Sequence, residues 1–346
     1  MALNTATKLI KPLETSSSVG MFLRDTGGCL VSRLGLARSR DEAREVGIAE
    51  LSESSIFYFS APFLAKATSG IFSKKFNLTK DEFNTPVNEL KNITTDKLKS
   101  IKLAKLGQIL STFSVVLPAV FAIAPIRNYI TKVKSGKENF LSVIELEKNN
   151  TNNKNNDKNK LPSFVKKTLG VSLGLLALSA GAVATAKNKN IYDKIEPKLN
   201  KFIKNFEFTK TGDLKMLHYG ALIYPVSILS YFLSSRDKYE KMENARRFSI
   251  TVPMMFFGEK LIQNPIYKAV DKNFKTNLFE NGKIKSYKDI LSDSSAAQKQ
   301  LLKSKNIAQL LTFSINTVAL AGAVTLLNRF ETKRKFNEDK AKNGKQ

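Results

Sequence analysis

Four long stretches of this chain are apolar and contain no charged side chain, although 25% of all residues are charged. They cover residues 106–126, 168–186, 216–235 and 306–328. As α-helix, about twenty residues reach roughly 30 Å, the thickness of the hydrocarbon core of a bilayer. The pattern therefore predicts an all-α protein, a polytopic helical membrane bundle with four long spans.

Two shorter apolar runs are also free of charge, and each contains a proline. Residues 54–65 include Pro62, and residues 248–258 include Pro253. A run of about twelve residues is too short to cross a bilayer as a single helix. We expect each run to be a half-helix, a re-entrant segment or a buried helix.

The balance of charge is strongly basic. Lys and Arg number 56 against 30 Asp and Glu, which gives a formal net charge of +26, and most of these residues lie between the apolar stretches. A basic surface attracts anionic surfaces, and basic loops commonly flank membrane helices. The bilayer and its anionic headgroups are therefore the predicted partners, and nucleic acid is disfavoured.

Several classes of site are excluded because the chain has one cysteine, Cys29, and one histidine, His218. A disulfide framework within the chain and a multi-cysteine metal site need more cysteines, and a cluster of histidine ligands needs more histidines. Glycine-rich dinucleotide motifs and P-loop lysine motifs are also absent from the sequence. We expect no enzymatic activity, no cofactor and no metal.

Two parts of the chain carry similar features in the same order, which suggests an internal duplication. Residues 39–41 and 235–237 both read Ser-Arg-Asp, and each triplet precedes a charged segment and one of the short apolar runs. Further along, Lys105 matches Lys305, and residues 112–114 match 312–314 without a gap. This order favours a repeated unit of roughly a hundred residues. Chance similarity between apolar segments is the alternative.

The predicted organisation follows from these features. It comprises a flexible N-terminus (1–20), a first repeat-like half (21–133), an Asn/Lys-rich linker (134–167), a connecting span with a basic connector (168–215), a second repeat-like half (216–333) and a basic tail (334–346). If only the four long stretches cross, the two halves face opposite ways, whereas six crossings would make them parallel.

Two features inside the spans predict contacts between helices. Gly170, Gly174, Ala177 and Gly181 recur at the spacing of one helix stripe, where another backbone can approach closely, within the chain or in a homo-oligomer. Asn316 lies near the middle of the last span, where an amide usually bonds to another helix. Lining a pathway is the alternative role for Asn316.

Taken together, these patterns predict a multi-span integral membrane protein of the plasma membrane. We expect it to act by packing as a scaffold, or by solute passage, with its basic loops at anionic lipid. The alternative is a soluble, basic α-helical protein that binds nucleic acid or another polyanion. That alternative is disfavoured because core helices of soluble proteins usually keep a polar face.

Overall fold

The structure is a computed structural model that describes residues 2–14, 18–90, 93–147, 160–208, 216–292 and 297–343. Within these residues the chain is helical apart from one two-stranded ribbon, so the all-α prediction is confirmed. Of the predicted Asn/Lys-rich linker (134–167), residues 148–159 lie outside the described residues.

The helices up to the middle of the chain are α1 Ala2–Ile10, α2 Ser18–Asp25, α3 Val31–Gly35, α4 Arg40–Ser55, α5 Ala61–Lys75, α6 Lys80–Asn84, α7 Thr95–Ser135, α8 Phe140–Val143 and α9 Lys160–Ala186. The remaining elements are α10 Lys189–Phe206, α11 Met216–Leu233, α12 Lys238–Pro253, α13 Glu259–Phe274, β1 Phe279–Glu280, β2 Lys283–Ile284, α14 Tyr287–Ser292, α15 Gln298–Phe313 and α16 Leu320–Asn343. Short 3₁₀ turns cover Lys11–Glu14 and Val87–Glu89, and π-helical segments cover Thr26–Leu30, Ile56–Ser60, Met254–Gly258 and Ser314–Ala319.

Among the described residues, three helical runs are long and apolar enough to cross a membrane. They are Thr95–Ser135, Ser163–Ala186 and Gln298–Asn343, and they contain three of the four predicted spans. The fourth predicted stretch forms α11, which is not among these three. The prediction of long apolar helices is thus confirmed at three positions.

The two short apolar runs form the middle of longer helical runs. The π-helical segments Ile56–Ser60 and Met254–Gly258 each join a charged helix to the helix that follows it. Pro62 and Pro253 lie beside these segments, and neither has the N–H that would donate to the carbonyl four residues earlier. A wider π-helical turn at such a break is the usual adjustment of the backbone.

Contacts divide the chain into two compact units. Unit 1 comprises Met1–Leu51, Asn139–Lys148 and Ser235–Gln346, and unit 2 comprises Ser52–Glu138 and Asn149–Ser234. Each unit therefore contains residues from both predicted repeat-like halves.

In unit 2, α7 is the central helix and packs against α5, α9 and α11. The ring of Phe113 on α7 lies 6.1 Å from the rings of both Phe206 and Tyr219. Aromatic pairs at such distances add to the stability that their buried area provides.

In unit 1, α13 packs against α15, and α12 packs against α16. The core of the first pair includes Tyr267, Leu278 and Tyr287, and the β-ribbon packs on it through Phe279 and Ile284. Asn281 and Gly282 make the turn of the ribbon with positive φ angles of 49° and 75°, as a two-residue hairpin turn requires.

The first residues differ from the predicted flexible start. α1 and the turn Lys11–Glu14 belong to the core of unit 1, where Thr7, Ile10 and Leu13 are buried. An apolar residue on each turn gives this segment a face that the rest of the unit covers. At the other end, α16 continues the last span as far as Asn343, so most of the predicted basic tail is helical.

Candidate functional site

Unit 1 contains two arginines that each bridge two glutamates on different helices. Arg38 donates to Glu42, four residues further along the chain, at 2.7 Å, and to Glu243 on α12 at 2.8 Å. All three side chains are largely buried. Burial by itself would raise the pKa of Glu42, but the hydrogen bonds and the charge of Arg38 outweigh it and hold that pKa below its usual value.

The second arginine makes the equivalent contacts from the start of α12 to α4. Arg236 donates to Glu240, four residues further along, at 3.0 Å, and to Glu45 on α4 at 2.7 Å. The guanidinium groups of Arg38 and Arg236 lie 5.4 Å and 5.8 Å from the ring centroid of Phe140. Charge-assisted, largely buried pairs of this kind are among the stronger polar contacts in proteins. We call these six charged residues the arginine–glutamate network.

The N-terminal caps of α4 and α12 are also equivalent to each other. Ser39 Oγ accepts a hydrogen bond from the Glu42 amide at 3.0 Å, and Asp237 accepts one from the Glu240 amide at 2.9 Å. Both cap residues also bond to the short helix α8, since Ser39 donates to the Val143 carbonyl and Asp237 accepts a hydrogen bond from the Leu141 amide. A side-chain acceptor at this position satisfies one of the free amides of the first turn.

This network is not among the features predicted from the sequence, although the sequence contains a signal for it. Residues 38–45 and 236–243 share the pattern Arg-x-x-x-Glu-x-x-Glu. The shared Ser-Arg-Asp triplet aligned Arg40 with Arg236, but Arg38 is the residue that makes the equivalent contacts. This shared spacing is the signal that would have found the correct register, because in both segments the arginine lies just before the N-cap residue and the first glutamate lies in the first turn of the helix.

A buried lysine in unit 1 holds the end of the N-terminal segment. Lys305 on α15 is fully buried and donates to Glu14 at 2.6 Å and to the carbonyl oxygen of Lys285. The other carboxylate oxygen of Glu14 accepts a hydrogen bond from the Tyr287 amide at 3.2 Å. The ammonium group therefore has both an anionic and a neutral acceptor, as a buried charge requires.

A buried lysine in unit 2 has the same kinds of partner. Lys105 on α7 donates to Glu207 at 2.7 Å and to the Thr85 carbonyl at 2.7 Å. Glu207 also accepts a hydrogen bond from the Val87 amide at 3.0 Å. In both units the carbonyl acceptor lies twenty residues before the lysine. The sequence match between Lys105 and Lys305 thus coincides with equivalent surroundings.

Unit 2 also contains a cavity of about 420 Å³ beside Lys105. Its wall is formed by α5, α6, α7 and the residue that follows Glu207. The residues that line it are Ala65, Lys66, Ala67, Ser69, Gly70, Ser73, Lys80, Phe83, Asn84, Lys105, Gln108 and Phe208. We call it the lysine cavity. Its size falls within the range of small-molecule sites.

The predicted small-residue stripe lies on the exposed face of α9. Gly170, Gly174, Ala177 and Gly181 are all exposed, and a Cβ added at any of the three glycines would meet open space. A different face packs on α7, where Ser179 Oγ lies 2.9 Å from the hydroxyl of Ser114. The predicted packing of the stripe therefore remains a prediction about a contact with another chain.

Asn316 lies in the π-helical segment Ser314–Ala319 of unit 1 and is half-buried. Its Oδ1 atom is buried and accepts no hydrogen bond from the part of the chain that the structure describes. The neighbouring backbone is Gly258, where an added Cβ would lie 2.5 Å from this oxygen. The structure therefore brings Asn316 against the π-helical segment Met254–Gly258.

Among the described residues, no group of three or more His, Cys, Asp or Glu side chains could hold a metal ion. Cys29 is half-buried in the π-helical segment Thr26–Leu30. No family model matches the chain, and no characterised protein and no solved structure matches it either.

Proposed function

We propose that this protein is a multi-span integral membrane protein of the plasma membrane that serves as a helical scaffold, with its basic segments at anionic headgroups. The observation that supports this most is the uncovered apolar face of α9. Leu169, Leu173 and Leu178 are 58%, 67% and 72% exposed on it. A contiguous apolar face of this kind is unfavourable in water and is solvated by acyl chains in a bilayer.

The role of scaffold is supported by the way in which the buried charges are paired. Each arginine of the arginine–glutamate network is held by two carboxylates, and each buried lysine is held by a carboxylate and a carbonyl. Removing one member of such a pair leaves an uncompensated buried charge, which costs about 3–5 kcal/mol. Any other arrangement of the helices would leave these buried charges unpaired, so the pairing favours one fixed arrangement, as a scaffold needs.

We also propose that the chain arose by internal duplication and that the repeated unit is longer than a hundred residues. The starts of α4, Ile56–Ser60 and α5 precede those of α12, Met254–Gly258 and α13 by 198 residues (40 and 238, 56 and 254, 61 and 259). The matching roles of Glu14 and Glu207 extend the similarity to the first residues. With α11 counted as a fourth span, the two halves face opposite ways, with α9 between them.

Membrane extraction tests the proposed function. Membranes from cells that express the full chain are washed with high salt and then with alkaline carbonate, and detergent is added last. We expect the protein to stay in the pellet until detergent is present. Release by salt or carbonate would refute integration and favour the soluble alternative, whose test is salt-dependent binding of nucleic acid.

Cysteine labelling tests whether α9 lies within the bilayer, and it does so independently of extraction. Because Cys29 is the only cysteine, Cys29→Ala provides a cysteine-free background. In that background we expect Leu173→Cys to resist a membrane-impermeant maleimide and Asn188→Cys, just beyond the end of α9, to react once its side of the membrane is accessible. Equal labelling of the two positions in intact and in detergent-treated membranes would contradict the proposal.

A further inference from the structure

We infer that the lysine cavity of unit 2 binds the phosphate group of an anionic membrane lipid. The inference deepens the proposed function and rests on it, because a lipid reaches the cavity only if the helices around it lie in a bilayer.

The charge of the lining is positive. Lys66, Lys80 and Lys105 line the cavity, and none of the other lining residues is an Asp or a Glu. The ammonium group of Lys105 is neutralised by Glu207. Lys66 and Lys80 take part in no ion pair within the described residues, so two positive charges are left for a ligand. A phosphodiester or phosphomonoester supplies the charge that such a site lacks.

The polar groups of the lining suit phosphate oxygens. Ser69, Ser73 and Asn84 add hydroxyl and amide groups to the lysines. The two hydroxyls bond to carbonyls of their own helix, Ser69 to Lys66 and Ser73 to Gly70. Those bonds lie within one helical turn, so each hydroxyl hydrogen can turn towards a ligand oxygen.

An apolar stripe next to the cavity distinguishes a lipid from a free phosphate. Ala67 lines the cavity, and Phe63 and Ile71 lie one turn before and one turn after it on the same face of α5. Phe63 is 72% exposed and Ile71 is 63% exposed. On α7, Lys105 directly precedes the apolar stretch 106–126, which places the cavity at the edge of the hydrocarbon core in the proposed topology. Acyl chains can follow the stripe while the headgroup occupies the cavity.

The first test measures binding of a short-chain phosphatidylglycerol to the full-length protein in a neutral detergent, by native mass spectrometry. We expect Lys66→Gln/Lys80→Gln to weaken binding by about tenfold or more, because two charge-assisted contacts are lost. The matched control is Lys74→Gln/Lys75→Gln on α5, which changes the net charge equally but lies outside the cavity lining. We expect the control to bind as the wild type does.

The second test blocks the cavity without changing any charge. Gly70 lines the cavity, and a Cβ added there meets open space, so Gly70→Leu extends into the cavity without a clash at Cβ. Leucine also favours helix more than glycine does, so the fold should be retained. Gly47→Leu, on α4, is the control because its Cβ also meets open space. We expect Gly70→Leu to lose lipid binding and Gly47→Leu to keep it.

The possible results separate the sources of the phosphate. Equal weakening by both lysine double variants, or undiminished binding by Gly70→Leu, would overturn the inference. Competition by inorganic phosphate at the concentration at which the lipid binds would assign the site to a free anion and overturn the lipid. Release of the protein by carbonate refutes the proposed function, whereas a carbonate-resistant protein without the expected lipid binding refutes the cavity alone.

Discussion

Arg38 and Arg236 each bind a glutamate on the helix that follows the other arginine: Arg38 binds Glu243 on α12, and Arg236 binds Glu45 on α4. The relationship is reciprocal, because each arginine also binds the glutamate four residues further along its own segment. The two contacts join residues that are 205 and 191 positions apart in the chain, so they form only when α4 and α12 lie side by side. The arginine–glutamate network therefore fixes α4 against α12 in unit 1.

Removing one arginine should destabilise unit 1 strongly. Arg38→Met leaves the largely buried Glu42 and Glu243 without the guanidinium that hydrogen-bonds to both, and we expect a loss of about 3–5 kcal/mol of unfolding free energy. Chemical unfolding in detergent, followed by circular dichroism, measures it. Arg334→Met is the control, because Arg334 is 57% exposed in its ion pair with Glu331 and such pairs contribute little. Similar losses of unfolding free energy in the two variants would argue against this role of the network.

The network should also make stability depend on pH in the acidic range. The pKa of Glu42 is lowered in the folded state by Arg38, so the stabilisation is complete above the unfolded pKa, about 4.3, and is lost as the pH falls through the folded pKa. We therefore expect wild type to be more stable than Glu42→Gln at pH 7. The difference should narrow below about pH 4. Unfolding curves for both proteins from pH 7 to pH 3 measure the effect, and a constant difference would contradict it.

The two buried lysines should differ in their contribution to stability. Lys105→Met leaves Glu207, which is 8% exposed, whereas Lys305→Met leaves Glu14, which is 24% exposed and can bind water more readily. We expect both variants to be destabilised, Lys105→Met by the larger amount, within about 3–5 kcal/mol. Replacing the carboxylate as well, in Lys305→Met/Glu14→Leu, should restore much of the loss. A double variant as unstable as the single one would show that charge burial is not the cause.

A methyl group added at Gly258, which contacts Asn316, should destabilise unit 1. Gly258→Ala places Cβ 2.5 Å from Asn316 Oδ1 and 2.6 Å from a methyl carbon of Met254, so one of them must move. We expect a loss of about 1–3 kcal/mol, as for other overpacked sites, and partial recovery in Gly258→Ala/Asn316→Ala. Gly174→Ala is the control because its Cβ meets open space, and it should not lower the unfolding temperature. An equally mild effect at Gly258 would mean that the segment relaxes.

The helical class and the apolar helices were predictable because they depend on local sequence. A run of about twenty uncharged apolar residues forms a helix with no polar face wherever it lies in the chain, and three such runs match helices of the structure. The match of Lys105 with Lys305 was also visible, since both lie in ungapped similar segments. The structure adds what surrounds each lysine.

The register of the arginine–glutamate network, the orientation of α9 and the lysine cavity were decided by tertiary structure. A triplet such as Ser-Arg-Asp is readable in sequence, but whether Arg38 or Arg40 reaches the opposite glutamate depends on which helices pack together. The small-residue stripe of α9 was visible, yet the face with Ser179 is the one that packs on α7. The sequence by itself determined which segments are helical and apolar, because that follows from neighbouring residues. The tertiary structure decided which side chains meet, because those contacts join residues that are far apart in the chain.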